Sequence, residues 1–139
     1  MKVLFVCAGN TCRSPLAQGI CEKLYEEKGI EAKSAGLFVF EPSPASEHGV
    51  QILKEIGVDM TGHISQSVSE EMLDWCDRAY AMTYPHYEVF RKRFREYADK
   101  IFMLDDLNDV QDPFGHGRDK YDECARHLVR AIKKKLGDV

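Results

Sequence analysis

The stretch CAGNTCRS at residues 7–14 sets a thiol, Cys7, six positions ahead of a guanidinium, Arg13. A thiolate is a nucleophile, and a guanidinium is a planar fork matched to two oxygens of a phosphoryl group. The residues between them are Ala8, Gly9, Asn10, Thr11 and Cys12, with Ser14 directly after. A tight loop over this span would turn peptide N–H groups inward as a nest for an oxyanion. Gly9 is expected to supply the backbone freedom that such a loop needs. A helix starting at Ser14-Pro15 would add its orphan amides and the positive end of its dipole. The same fields favour a thiolate at Cys7, and Ser14 could donate to its sulfur. The nucleotide-binding loop is a different device, because it needs a lysine that is missing here.

A thiolate attacking a phosphoryl group needs an acid for the leaving atom. Asp112 in QDPFG, stiffened by Pro113, is the best-placed candidate. On spacing alone an ordinary Asp-Pro turn fits equally well, and Asp105, Asp106 and Asp109 crowd the same segment.

Positioning these groups is the task of the flanking elements. KVLFV before Cys7 is a continuous apolar run of strand length, the pattern of a strand covered on both faces. A helix is expected from Ser14 to a stop at Gly29, then a strand over IEAKSAG ending at Gly36. A second helix follows over SEHGVQILKEIG, capped by Ser46 or Ser43. TGHISQSVSEEML reads as a polar connection into a short helix, DRAYAMT as a third strand, PHYEVFRKRFREY as a long helix and KIFML as a fourth strand. A polar loop carrying Asp112 leads to a last amphipathic helix over YDECARHLVRAIKKKLG, with Leu128, Ile132 and Leu136 on one face. Strands alternating with helices imply an α/β fold, a single domain over 1–139 with a parallel sheet and helices on both faces. Ligands of such sheets bind at the carboxyl ends of the strands, where Cys7 stands.

The 139 residues suffice for one domain with a real core, 44% of them hydrophobic and 30% charged. A formal net charge of −4 argues against nucleic acid or an anionic membrane as partner. Lys133–Lys135 complement a helix dipole instead. No run reaches the roughly 20 apolar residues of a membrane span, and MKVLFVC is too short for a signal peptide, so a cytoplasmic protein is expected. Five cysteines, an odd number, suit free thiols in a reducing compartment. Cys12 could trap an oxidised Cys7 as a disulfide. The five histidines show no H-x3-H spacing and the cysteines no C-x2-C, so no metal site is expected.

FVCAGNTCRSP near the start, SAG at 34–36, His63 in TGHISQ, AMT at 81–83 and DPFG at 112–115 together resemble the low-molecular-weight protein phosphatase family over nearly the whole chain. The resemblance implies a four-stranded parallel sheet, a cysteinyl-phosphate intermediate and no cofactor. It matches Cys7 to the nucleophile, Arg13 to the phosphate clamp and Asp112 to the general acid. Asn10, Ser14, Ser34 and His63 match a hydrogen-bond network that holds the loop. Substrates would be phosphorylated proteins, and a monomer is the default.

Tyrosine-specific members commonly carry a bulky aliphatic residue where this chain has Thr11, an acid where it has Thr83, and further aromatics where it has Phe114-Gly115. Threonine with DPFG resembles the bacterial protein-arginine phosphatases of the family. A hydroxyl at position 11 can accept a hydrogen bond from a guanidinium or orient the attacking water. Phe38 and Phe114 would wall the substrate. Phosphotyrosine is the alternative substrate. Arsenate reduction on the same loop would need a mid-chain cysteine pair, and only Cys76 lies there. A non-catalytic phosphopeptide binder would be expected to lose Cys7, Arg13 or Asp112.

Overall fold

The computed structural model describes residues 1–137; residues 138 and 139 of the expected domain lie outside the described residues. Four strands, β1 (Lys2–Cys7), β2 (Glu31–Gly36), β3 (Arg78–Ala81) and β4 (Ile101–Met103), form one sheet in the order β2-β1-β3-β4. All three pairings are parallel, with Cys7 opposite Gly36 and Val6 opposite Ala81. The helices are α1 (Arg13–Leu24), α2 (Glu47–Glu55), α3 (Glu70–Trp75), α4 (Tyr84–Arg93) and α5 (Arg118–Leu136).

The apolar run of β1 is explained by its place in the centre of the sheet. Val3, Phe5 and Cys7 face one core with Leu16, Ile20 and Leu53, joined by Leu128 and Ile132 of α5. Leu4 and Val6 face the other core, with Leu73 of α3 and Phe90 of α4. Two apolar layers on one strand are what helices on both faces require. Among the described residues no helix is long and apolar enough to cross a membrane.

Element ends differ modestly from the expected ones. Helix α1 begins one residue early, at Arg13, and gives way to a 3-10 turn at Glu26–Lys28 before the left-handed Gly29. Helix α5 begins three residues before Tyr121, where Arg118 pairs with Asp122 and Glu55 at 2.9 and 2.8 Å. The long helix expected through residue 97 stops at Arg93. Phe94 leaves it, sets its ring edge-on to Phe90 at 5.8 Å, and a 3-10 segment runs to Lys100. Ser46 caps α2 by position only, with no side-chain bond to the helix. Thr83 caps α4 fully, accepting from the His86 amide.

The strand order reverses at β1, whose neighbours are β2 on one side and β3 on the other. The carboxyl end of β1 is therefore the switch point, the usual ligand crevice of an open parallel sheet.

Candidate active site

Residues 8–12 form an irregular loop between β1 and α1. Its carbonyls are claimed from outside. Leu37 N donates to Cys7 O and Phe38 N to Ala8 O, both at 2.9 Å, and Ser46 N donates to Thr11 O at 2.9 Å. His63 Nε2 donates to Asn10 O at 2.9 Å, which fixes the proton on that nitrogen. In a trans peptide the N–H points opposite to the C=O. Carbonyls tied outward thus turn the amides of Ala8, Gly9, Thr11 and Cys12 toward the inside of the loop. The Asn10 amide already shows the direction, donating to Cys7 Sγ at 3.3 Å.

The left-handed residue that closes this loop is Asn10, with φ 56°, and not Gly9. This corrects the expectation for Gly9. A Cβ at position 9 would find the Thr11 hydroxyl at 3.9 Å, an ordinary contact distance, so close approach does not require a glycine there. The glycine that close approach requires is Gly36, where a Cβ would lie 2.6 Å from Ala8 O and 2.7 Å from Val39 Cγ2.

Asparagine tolerates the left-handed region better than most residues, and here its amide is fully used. Asn10 Nδ2 donates to Ser14 Oγ at 2.8 Å, and Asn10 Oδ1 accepts from Gln66 N at 3.0 Å. With its oxygen fed by Asn10, Ser14 can direct its proton to Cys7 Sγ at 2.9 Å or to Ala35 O at 3.4 Å. The shorter contact is to the sulfur. Three of the four residues expected to support the loop bond within it, Asn10 and Ser14 beside the sulfur and His63 on the Asn10 carbonyl. Ser34 stands one step further out, donating to Gln18 Oε1 at 2.7 Å while its carbonyl accepts from Gln66 Nε2.

Gln66 was missed by sequence reasoning although it lies three residues after His63. Its carbonyl also accepts from Gly36 N, so the 63–68 segment runs beside the end of β2 and reaches the loop from there. A polar connection between helices gives no sign of that pairing.

Arg13 is 6% exposed. Its Nη1 donates to Val110 O at 3.1 Å, and its Nη2 lies 3.6 Å from Asp112 Oδ2. Val110 is anchored in turn, its N–H donating to Met82 O past the end of β3. The other acids of this loop are engaged elsewhere: Asp105 with His127 at 2.6 Å, Asp106 with Lys135, and Asp109 with the Tyr84 amide. Asp112 is the one that pairs with Arg13. Its other oxygen accepts from Phe114 N at 3.1 Å.

Phe38 and Phe114 are 43% and 70% exposed, so neither is a core residue. Cys12 is buried, its Sγ 3.5 Å from Tyr121 Oη, and burial with the Cys12 contact pushes the Tyr121 phenol up to about 12. His86, also missed, has a buried Nδ1 with no hydrogen-bond partner among the described residues. Burial, and then the positive charge of Arg13, hold its imidazole neutral down to about 4. Among the described residues no three His, Cys, Asp or Glu side chains gather as a metal site.

A model of the family described as low molecular weight phosphotyrosine protein phosphatase matches residues 2–139. The chain belongs to that family. A protein-arginine-phosphatase of Geobacillus stearothermophilus is 42% identical over 142 residues, covering 99% of this chain and 94% of that one. The structure described as a low molecular weight protein tyrosine phosphatase from T. tengcongensis superposes with a TM-score of 0.91 at 43% identity, covering 98% and 97% of the two chains. A mutant of the YwlE arginine phosphatase with a phosphorylated active-site serine superposes with a TM-score of 0.88 at 34% identity, over 98% and 95%. The four-stranded parallel sheet and the Cys-x5-Arg loop are thus those of the family that the sequence motifs resemble.

Proposed function

We propose that the chain is a cysteine-dependent protein-arginine phosphatase. The observation that carries the reading is the outward-tied loop, which presents Cys7 Sγ with Ser14 Oγ at 2.9 Å, together with the pairing of its Arg13 with Asp112 at 3.6 Å. Inward amides and Arg13 match the charge that develops on a phosphoryl group in transfer. Cys7 attacks phosphorus in line; the P–N bond breaks as Asp112 gives its proton to the departing guanidino nitrogen. Water then loses a proton to the Asp112 carboxylate and attacks phosphorus. The P–S bond breaks, and Ser14 donates to the leaving thiolate.

For phosphoarginine the support is Thr11, which puts a hydroxyl in the loop where tyrosine-specific relatives commonly carry a bulky aliphatic side chain, together with the arginine-phosphatase relative at 42% identity. Phe38 and Phe114, both exposed, serve as walls for the organic part of the substrate. Phosphotyrosine is the second reading, favoured by the similar identity to the T. tengcongensis tyrosine phosphatase. Cys12 is the resolving thiol: peroxide converts Cys7 to a sulfenic acid, and Cys12 displaces water from it to leave a Cys7–Cys12 disulfide.

The test of substrate class is kcat/KM for matched phosphoarginine and phosphotyrosine peptides on wild type and Thr11→Ile. A preference for phosphoarginine that the substitution reverses is expected. Equal or better turnover of phosphotyrosine by wild type would make the chain a tyrosine phosphatase.

A further inference from the structure

Arg93 ends α4, in a last turn that also holds Arg91 and Lys92. Cations there complement the helix dipole, a role that demands no particular side-chain direction. Arg93 has one. Its Nη1 donates to the carbonyl of Leu37 at 2.7 Å, and its guanidinium lies over the Phe38 ring, 5.0 Å from the centroid.

The backbone it grips is the pair of residues that ties down the loop, since Leu37 N bonds Cys7 O and Phe38 N bonds Ala8 O. At 43% exposure the Phe38 ring is only partly held by its surroundings, and a half-exposed ring changes rotamer readily unless something covers a face. A stacked guanidinium does this and is attracted by the ring quadrupole. Phe114, by contrast, shows no ring or cation contact among the described residues.

We propose that Arg93 is a specificity-determining positioning residue, which clamps Phe38 as a fixed wall for the organic part of the substrate. The proposal rests on Phe38 being a wall of the pocket. The phosphoryl group is held by the loop and Arg13, so Arg93 governs binding of what the phosphoryl group is attached to. The clamp could not be foreseen from sequence, where Arg93 is one of several cations in RKRFR.

The experiment compares Arg93→Ala, Arg93→Lys, Phe38→Ala and the Arg93→Ala/Phe38→Ala double variant. It measures KM and kcat for a phosphoarginine peptide, with inhibition by inorganic phosphate as a probe of the loop alone. Arg93→Ala should raise KM about three- to tenfold with kcat within about twofold, the scale of one cation–π contact and its anchoring bond. Phosphate inhibition should stay as in wild type, lysine should recover part of the loss, and Arg93→Ala should add nothing once Phe38 is gone. If Phe38→Ala raises KM and Arg93→Ala does not, the clamp is wrong and the wall stands. If Phe38→Ala leaves KM unchanged, the wall itself is wrong. Phosphate inhibition weakened in step with KM would reduce Arg93 to a support of the loop and overturn the proposal.

Discussion

Asp112 Oδ2 lies 3.6 Å from the guanidinium of Arg13, and the same guanidinium holds the Val110 carbonyl two residues earlier in the chain. One side chain therefore pairs with Asp112 and pins the segment that carries it. Asp112 itself remains 53% exposed, so its carboxyl can meet a substrate entering from solvent.

This arrangement predicts the behaviour of Asp112→Asn, which keeps the shape and cannot pass a proton. Turnover of a phosphoarginine peptide should fall about 10²–10⁴-fold, with KM little changed. The loss should be smaller for p-nitrophenyl phosphate, whose leaving oxygen departs as a stable anion. Equal losses on both substrates would remove Asp112 from the acid role.

Asn10 joins backbone and network in one residue. Asn10→Ala strands the Gln66 amide, removes a donor from Ser14 and puts an alanine at φ 56°. Unfolding by denaturant should show a loss of about 1–3 kcal/mol, the cost of buried groups left unpaired. Turnover should fall with it, because the loop that turns the amides inward is released. A variant as stable and active as wild type would show that the network is not what shapes the loop.

His86 gives the fold a pH dependence whose sign can be worked out. In the unfolded chain its imidazole protonates near 6.5, and in the folded chain only near 4. The unfolded state therefore binds more protons between those values, so stability rises with pH across this window and falls as pH drops through it. Thermal melts of wild type and His86→Gln between pH 4 and 6.5 should show a flatter slope in the variant. Parallel slopes would mean that the burial of His86 carries no such linkage.

Cys12 predicts an outcome under oxidation. After brief peroxide treatment, wild type should recover activity on adding thiol, with a Cys7–Cys12 disulfide seen by mass spectrometry. Cys12→Ser should recover much less, because Cys7 then advances to the irreversible sulfinic acid. Full recovery in the variant would deny Cys12 a protective role.

Much of the molecule was legible in the sequence for identifiable reasons. The apolar run of β1 announces a strand covered on both faces, and Val3 and Leu4 do face opposite cores. Cys7, Arg13 and Ser14 are close in sequence, so a strand–loop–helix turn alone brings them together. What escaped depends on contacts over long separations. Gln66 bonds the Asn10 side chain and Gly36 N, Arg93 reaches the loop through the Leu37 carbonyl, and the Asp112 loop docks on the start of α4 through Asp109. Which of the four acids pairs with Arg13 likewise depends on partners that spacing cannot reveal, since His127, Lys135 and the Tyr84 amide engage the other three.

The central claim is that Cys7 carries the phosphoryl group, and one measurement addresses it directly. Wild-type enzyme turning over a phosphoarginine peptide is quenched in acid within milliseconds and digested, and the phosphorylated residue is located by mass spectrometry; Cys7→Ala is treated in the same way. Phosphate on Cys7 in wild type, with neither label nor turnover in Cys7→Ala, is the predicted result. Turnover by Cys7→Ala, or phosphate found on another residue, would contradict the account.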